Sequence, residues 1–356
     1  MRNKIIMVVL SVALVVSLAV VGCAKPTPTP TPTPAPEQEV FEWRCSDFNA
    51  ITSVPARSTR YFCALVNGLS EGRIHIKYYG MAVLGSIEEV FDAVSRGELE
   101  MGMVSAYTTF HPLMVLQGCP FAGSCPEAAD KLFYDGALID GLMSDAWEAA
   151  GVRHLARMEN GMMAYINNKG PVVTPDDMAG MKVRVPPSEQ YIRSFENMLP
   201  DAVGEVVPWT EVYTSLERGV IDGTSMYIGN YESDKFYEVA KYYTDINQMY
   251  NYNDLVMSPE VWNSLPQDLQ DILTEAAGVA EDFCRFRYRK ESIAIEERCK
   301  AKGCVFTHLT PEQRQVFINN CKPFQLYEEL YGDVLEEYYP GENMCQQVID
   351  AIKAAG

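Results

Sequence analysis

The chain lacks the short motifs that mark common catalytic and nucleotide sites. It contains no H-E-x-x-H helix and no G-x-G-x-x-G or phosphate-binding loop. Histidine is scarce: His75, His111, His154 and His308 are scattered, so no spacing pairs a base with an orienting partner. No C-x-x-C pair occurs, and neither a metal nor a cofactor is expected. Cations are few, with 29 Lys and Arg against 48 Asp and Glu and a net charge of −19. That balance makes nucleic acid and anionic headgroups poor partners. Beyond the first residues there is no second long apolar run, so the chain is not expected to carry a solute across a membrane by itself.

What is present begins at the start of the chain. Arg2 and Lys4 precede an apolar run from Ile5 to Val21 whose only polar members are Ser11 and Ser17, and Gly22-Cys23 follows. Residues 1–22 read as a lipoprotein signal peptide with Cys23 as the lipidated residue, so contact with a membrane is expected through a lipid anchor. A transmembrane anchor is the alternative, because the run is nearly long enough to span, but the small Gly22 before Cys23 favours cleavage. Residues 23–39 then form the acylated cysteine and a Thr/Pro-rich linker, expected to stay extended and solvated. Losing Arg2 and Lys4, with no acidic residue, takes the net charge from −19 to −21. So acidic a body needs a local positive site inside a cleft to capture an anionic solute.

The remaining sequence alternates strand and helix patterns. Phe41–Asp47 alternates as a strand, Arg57–Leu69 has helical spacing, Ile74–Tyr79 is a second strand and Ile87–Ser95 a second helix. This rhythm implies a mostly parallel α/β sheet, and it restarts at Val152 and Met181, so two units are expected. Ligands of such sheets bind at the carboxyl ends of strands. From Pro266 to Lys302 the pattern is continuously helical, and about 50 Å of helix is longer than one lobe needs. Nine cysteines follow Cys23; Cys119 with Cys125 and Cys299 with Cys304 are near enough in sequence to bridge, and buried free thiols are the alternative.

The most informative stretch runs from Pro175 to Gly223, as PDDMAGMKVRVP and then EVVPWTEVYTSLERGVIDG. Lys182 and Arg184 fall on one face of a short strand and Val183 and Val185 on the other, with Pro186 and Pro187 ending it. Val212, Leu216 and Val220 recur at helical spacing, with Thr210 as the N-cap. These residues resemble the solute-binding proteins of tripartite ATP-independent periplasmic (TRAP) transporters, whose pattern is D-x-x-G-x-K-x-R-V-P followed by E-V-Y-x-x-L-x-x-G-x-x-D-G. GRIHIKYYGMAVLGSIEEVFDAVSRGELEMGMVS, with Glu100 in place of the usual Asp, and YYTDINQMYNYNDLVMSPEVWNSLPQDLQDIL are similar to further passages of that family. The resemblance implies an α/β, two-lobe, periplasmic-binding-protein-like fold with a long helix bridging both lobes. Lobe I is expected at 40–160 plus 250–288 and lobe II at 161–249 plus 289–356. It also implies a receptor, not an enzyme, that delivers a small organic carboxylate to a permease of separate small and large membrane subunits.

By the same resemblance Arg184 forms a two-point pair with the solute carboxylate, a geometry suited to a planar guanidinium. An isolated strand arginine is more often solvated; the motif around it singles this one out. Trp209 matches the family's cleft aromatic before E-V-Y. Tyr107, Tyr227, Tyr231 and Tyr250 follow apolar segments where strand-end loops are expected, and Phe48 and Asn49 follow the first strand. With 20 tyrosines in the chain, ordinary packing is the stronger reading for any single one. The chain also departs from the family. Met163 stands where many relatives carry a second cleft arginine, and Thr224-Ser225-Met226 where several carry Gln-Glu-Asn. The missing polar contacts favour a one-carboxylate solute with an apolar or aromatic body. A ligand-sensing surface lipoprotein and a surface-anchored enzyme are the alternatives.

Overall fold

Ten strands make one sheet in the computed structural model, which describes residues 39–355 apart from Gly118. The expected signal peptide, the lipidation site Cys23 and the Thr/Pro linker up to residue 38 lie outside the described residues. The strands are β1 (Phe41–Ser46), β2 (Ile74–Tyr79), β3 (Met101–Val104), β4 (Arg153–Asn167), β5 (Lys182–Val185), β6 (Val203–Val206), β7 (Gly223–Tyr227), β8 (Tyr242–Thr244), β9 (Tyr250–Met257) and β10 (Val305–Thr307). Their order is β2-β1-β3-β9-β4-β7-β5-β6, with β8 on β4 and β10 on β8.

The sheet has two halves, each mostly parallel, as the alternating sequence predicts. In the first, β2, β1 and β3 are parallel, and β9 runs antiparallel between β3 and the Arg153–Met162 part of β4. In the second, residues 163–167 of β4 pair antiparallel with β7 and β8, and β7, β5 and β6 are mutually parallel. The 15-residue β4 therefore belongs to both lobes. Where it passes between them the register slips at Glu159/Gly161, and Gly161 adopts φ +82°. A Cβ there would lie 2.3 Å from the Tyr288 ring, and one on Gly229 would lie 2.9 Å from it. Glycine is required at 161 by both its φ and this contact, and a side chain at 229 would push on the ring, so Tyr288 is wedged at the junction, where its hydroxyl accepts the Gly229 amide at 3.2 Å.

Tyr288 belongs to the long helix, Gln267–Ala301, whose 35 residues span about 52 Å. Its buried stripe serves two cores in succession. Leu269, Leu273, Ala276, Ala280 and Cys284 pack with Trp43, Phe62 and Met101 of the first half, while Ile295 and Cys299 pack with Ile166, Val212 and Tyr231 of the second. The helix thus bridges both lobes.

The expectations for the C-terminal helix and for the helix after Thr210 are corrected, and of the two alternatives for the cysteines the free thiols are found. The helix Met344–Ala355, assigned to lobe II, packs through Met344, Val348, Ile349 and Ile352 into the core that holds Leu132 and Trp147 of the first half. The helix after Thr210 is shorter than its spacing suggested: a 3-10 turn at Trp209–Glu211 leads into Val212–Glu217. Gly219 turns left-handed at φ +69°, leaving Val220 exposed, and Thr210 caps nothing. All nine cysteines of the described residues are free; Cys119 is buried while Cys125 faces solvent. No helix among the described residues is long and apolar enough to cross a membrane.

Candidate functional site

A cavity of about 620 Å³, including its open mouth, lies between the two half-sheets. Its lining comes from the carboxyl ends of strands, as the fold class dictates. Phe48 follows β1, Ser105 to Tyr107 follow β3, Pro186 follows β5, Trp209 follows β6 and Tyr227 closes β7. Asn160 and Met163 of β4 and Asn251 and Asn253 of β9 form the floor.

Arg184 is the sole cation among the residues lining this cavity, and no carboxylate lines it. The side chain leaves β5 among buried neighbours and is only 5% exposed. Its Nε donates to the Val207 carbonyl at 2.9 Å, which fixes the plane of the guanidinium. The Trp209 ring lies 5.8 Å from its Cζ. The two terminal nitrogens have no protein partner among the described residues, and burial lowers the guanidinium pKa from its ordinary value. A buried cation without a counter-ion is costly, and the planar fork left open suits a carboxylate.

Around it the lining is aromatic on one side and amide-rich on the other. Phe48, Tyr107, Tyr191, Trp209 and Tyr227, with Ile87 and Met163, supply apolar faces. The Asn251 Oδ1 accepts from Gln117 Nε2 at 2.7 Å, and its Nδ2 donates to the Tyr227 hydroxyl. Asn253 Oδ1 accepts from Ser105 Oγ at 3.3 Å. Asn160 and Asn230, 5% and 3% exposed, differ from these: their amide oxygens have no donor among the described residues.

Of the residues expected from sequence, the structure brings Phe48, Tyr107, Met163, Arg184, Trp209 and Tyr227 together in the cavity. Four others lie elsewhere. Met226 alternates away from Ser225 and Tyr227 on β7 and packs with Ala164 and Ile166 in the second core. Tyr231 is buried in that core with its hydroxyl on the Ala240 carbonyl at 2.7 Å. Tyr250 stacks on Phe133 and shares a 2.8 Å hydrogen bond with Tyr134. Asn49 stands behind the floor, donating to Asp47 at 2.8 Å and accepting from Asn253 at 3.4 Å. The cations that could have offered a second anion site are also engaged elsewhere: Arg153 with Glu148, Arg157 with Asp140, and Lys169 with Asp222. Sequence reasoning missed Gln117, Tyr191, Asn230, Asn251 and Asn253. The alternation Asn251-Tyr252-Asn253-Asp254 was the available signal, since two amides on one face of an otherwise buried strand need a reason. Among the described residues no cluster of His, Cys, Asp and Glu could hold a metal ion.

Comparison with known proteins gives the family and the fold. The chain is 27% identical over 299 residues to the C4-dicarboxylate-binding periplasmic protein DctP of Rhodobacter capsulatus, covering 83% of this chain and 84% of that one. It is 27% identical over 252 residues to the 2,3-diketo-L-gulonate-binding periplasmic protein YiaO of Escherichia coli K12, covering 69% and 74%. Its fold matches the sugar acid binding protein DctPAm of Advenella mimigardefordensis in complex with galactonate, with TM-score 0.79 at 24% identity over 90% of this chain and all of that one. The family profile described as bacterial extracellular solute-binding protein, family 7, matches residues 46–331. The chain therefore belongs to family 7 of the bacterial extracellular solute-binding proteins, the DctP family of TRAP-type receptors, which are binding proteins and not enzymes.

Proposed function

We propose that this chain is the lipid-anchored receptor of a TRAP transporter for an organic monocarboxylate with an apolar or aromatic body. It delivers that solute to a permease of small and large membrane subunits. The observation that carries the reading is the buried guanidinium of Arg184, which holds two unpartnered nitrogens in a cavity with no other charge. One carboxylate neutralises one such site. A second would be buried without a cation, at a cost of several kcal/mol, so the dicarboxylate named for the Rhodobacter relative does not fit this lining. Galactonate, bound by the Advenella protein, has the single carboxylate that Arg184 calls for. Phe48, Tyr107, Tyr191 and Trp209 give the rest of the solute apolar faces to stack on. Lobe I at 40–160 plus 250–288 and lobe II at 161–249 plus most of 289–338 would close over it, tethered through Cys23.

A thermal-shift panel of aromatic and branched monocarboxylates, 2-oxo acids, four-carbon dicarboxylates and sialic acid tests the reading. Monocarboxylates should raise the melting temperature by mass action. Stabilisation by succinate or malate, with none by any monocarboxylate, would overturn it. Permease genes beside this one support uptake, whereas a neighbouring kinase gene favours the sensor alternative.

A further inference from the structure

We propose that Asn230, assisted by Asn160, selects a solute that carries a hydroxyl group in addition to its carboxylate, and rejects the corresponding oxo acid. The inference rests on the carboxylate-receptor reading and adds a second recognition point to it. Asn230 lies in the short helix Ile228–Ser233 directly after β7, and its side chain is fixed from behind. Its Nδ2 donates to Asp234 Oδ2 at 2.9 Å, and that carboxylate also accepts from Ser233 Oγ at 3.2 Å. A carboxylate can only accept, so the amide cannot flip, and the free end of Asn230 is its oxygen. That oxygen is buried and has no donor among the described residues, although the residue lines the cavity. Asn160 Oδ1, from the floor, is in the same state.

Buried acceptors are rarely left without a donor, and the neighbouring amide oxygens show the contrast: Gln117 fills that of Asn251 and Ser105 that of Asn253. Of the unpartnered buried side-chain atoms, those of Asn230 and Asn160 belong to residues that line the cavity, where a solute can supply the donor. A carboxylate at neutral pH and a ketone both present only lone pairs, whereas an alcohol presents an O–H. An oxo group at this point would set one carbonyl oxygen against another.

Calorimetric titration of the full exported chain tests the proposal with three matched sets of acids. These are 3-phenylpropanoate and 4-methylpentanoate with their 2-hydroxy and 2-oxo forms, and 4-phenylbutanoate with its 4-hydroxy and 4-oxo forms. In at least one skeleton the hydroxy form should bind at least about tenfold more tightly than the other two. Asn230→Leu should shrink that preference to about threefold, and Asn160→Leu should reduce it in part. Should Asn230→Leu not fold, the wild-type preference and the Asn160 variant decide. Equal binding of hydroxy and oxo forms in every skeleton, with binding still abolished by Arg184→Ala, overturns the selection and leaves the carboxylate reading standing. A hydroxyl preference untouched by either asparagine variant also overturns it. Binding that ignores Arg184→Ala overturns the carboxylate reading, and an absence of binding by the whole panel overturns both.

Discussion

On the first-half wall of the cavity, Gln117 is hydrogen-bonded to Asn251 and Ser105 to Asn253, and Asn49, itself held by Asp47, supports Asn253 from behind. On the second-half wall, Arg184 keeps two nitrogens open and Asn230 keeps its amide oxygen open. The two walls differ in how far their polar atoms are used, Asn160 Oδ1 in the floor being the open atom of the first half. A satisfied amide shapes a cleft; an unsatisfied one has a free energy to recover from a ligand.

The largest effect expected from this difference is at Arg184. Arg184→Ala should weaken solute binding by about 2–5 kcal/mol, with folding retained, because the lost group has one protein hydrogen bond and no ion pair. Arg184→Lys should recover only part, since an ammonium lacks the parallel two-point geometry. Titration calorimetry of both variants decides the point, and an alanine variant within threefold of wild type would contradict it.

Gln117→Ala probes the other wall. It removes donors to Asn251 Oδ1 and to the Tyr252 carbonyl, so stability should fall by about 1–3 kcal/mol in denaturant unfolding. Affinity should stay within about threefold. A large loss of affinity with unchanged stability would mean that the first wall also contacts the solute.

The first half also holds three buried carboxyls that make stability depend on pH. Burial raises the pKa of Glu281 to about 7, and those of Glu159 and Asp47 to about 6, against Arg157 at Glu281, Arg289 at Glu159 and Asn49 and Tyr78 at Asp47. A carboxyl with a raised folded pKa contributes stability that is complete below its unfolded pKa and is lost as pH rises through the folded one. These three carboxyls should therefore lose their contribution to stability between about pH 4 and about pH 7. Glu281→Gln, which keeps an acceptor for the Arg157 amide, should match wild type near pH 4 and exceed it by about 1–2 kcal/mol at pH 8. Parallel profiles for the two proteins would remove Glu281 from this account.

The smallest signal is in shape. Solute bound to the second wall should draw the halves together about β4 and the long helix, lowering the radius of gyration in small-angle scattering. Arg184→Ala should show no such decrease, and an unchanged wild-type curve at saturating solute would point to a rigid site.

Much of the architecture was legible because it rests on local periodicity. The strand Ile74–Tyr79 and the helix Ile87–Ser95 coincide with their sequence patterns, and the long helix differs by one residue at each end. The C-terminal helix was misplaced because an apolar stripe at Met344, Val348 and Ile352 states that a helix is buried without stating against what. Residues just after strands reached the cavity as the fold rule predicts, whereas Tyr231 and Tyr250 show that a tyrosine with an internal partner for its hydroxyl serves the core.

The sequence by itself determined an α/β chain with a bridging helix and one arginine held at a strand end by the K-V-R-V-P-P run, because these depend on neighbours a few residues apart. Tertiary structure alone decided that, among the described residues, Arg184 has no counter-ion and the Asn230 oxygen no donor, and that Met226 faces a core. Those facts depend on which atoms from distant segments arrive within hydrogen-bonding distance, and such a meeting leaves no periodic trace in the chain.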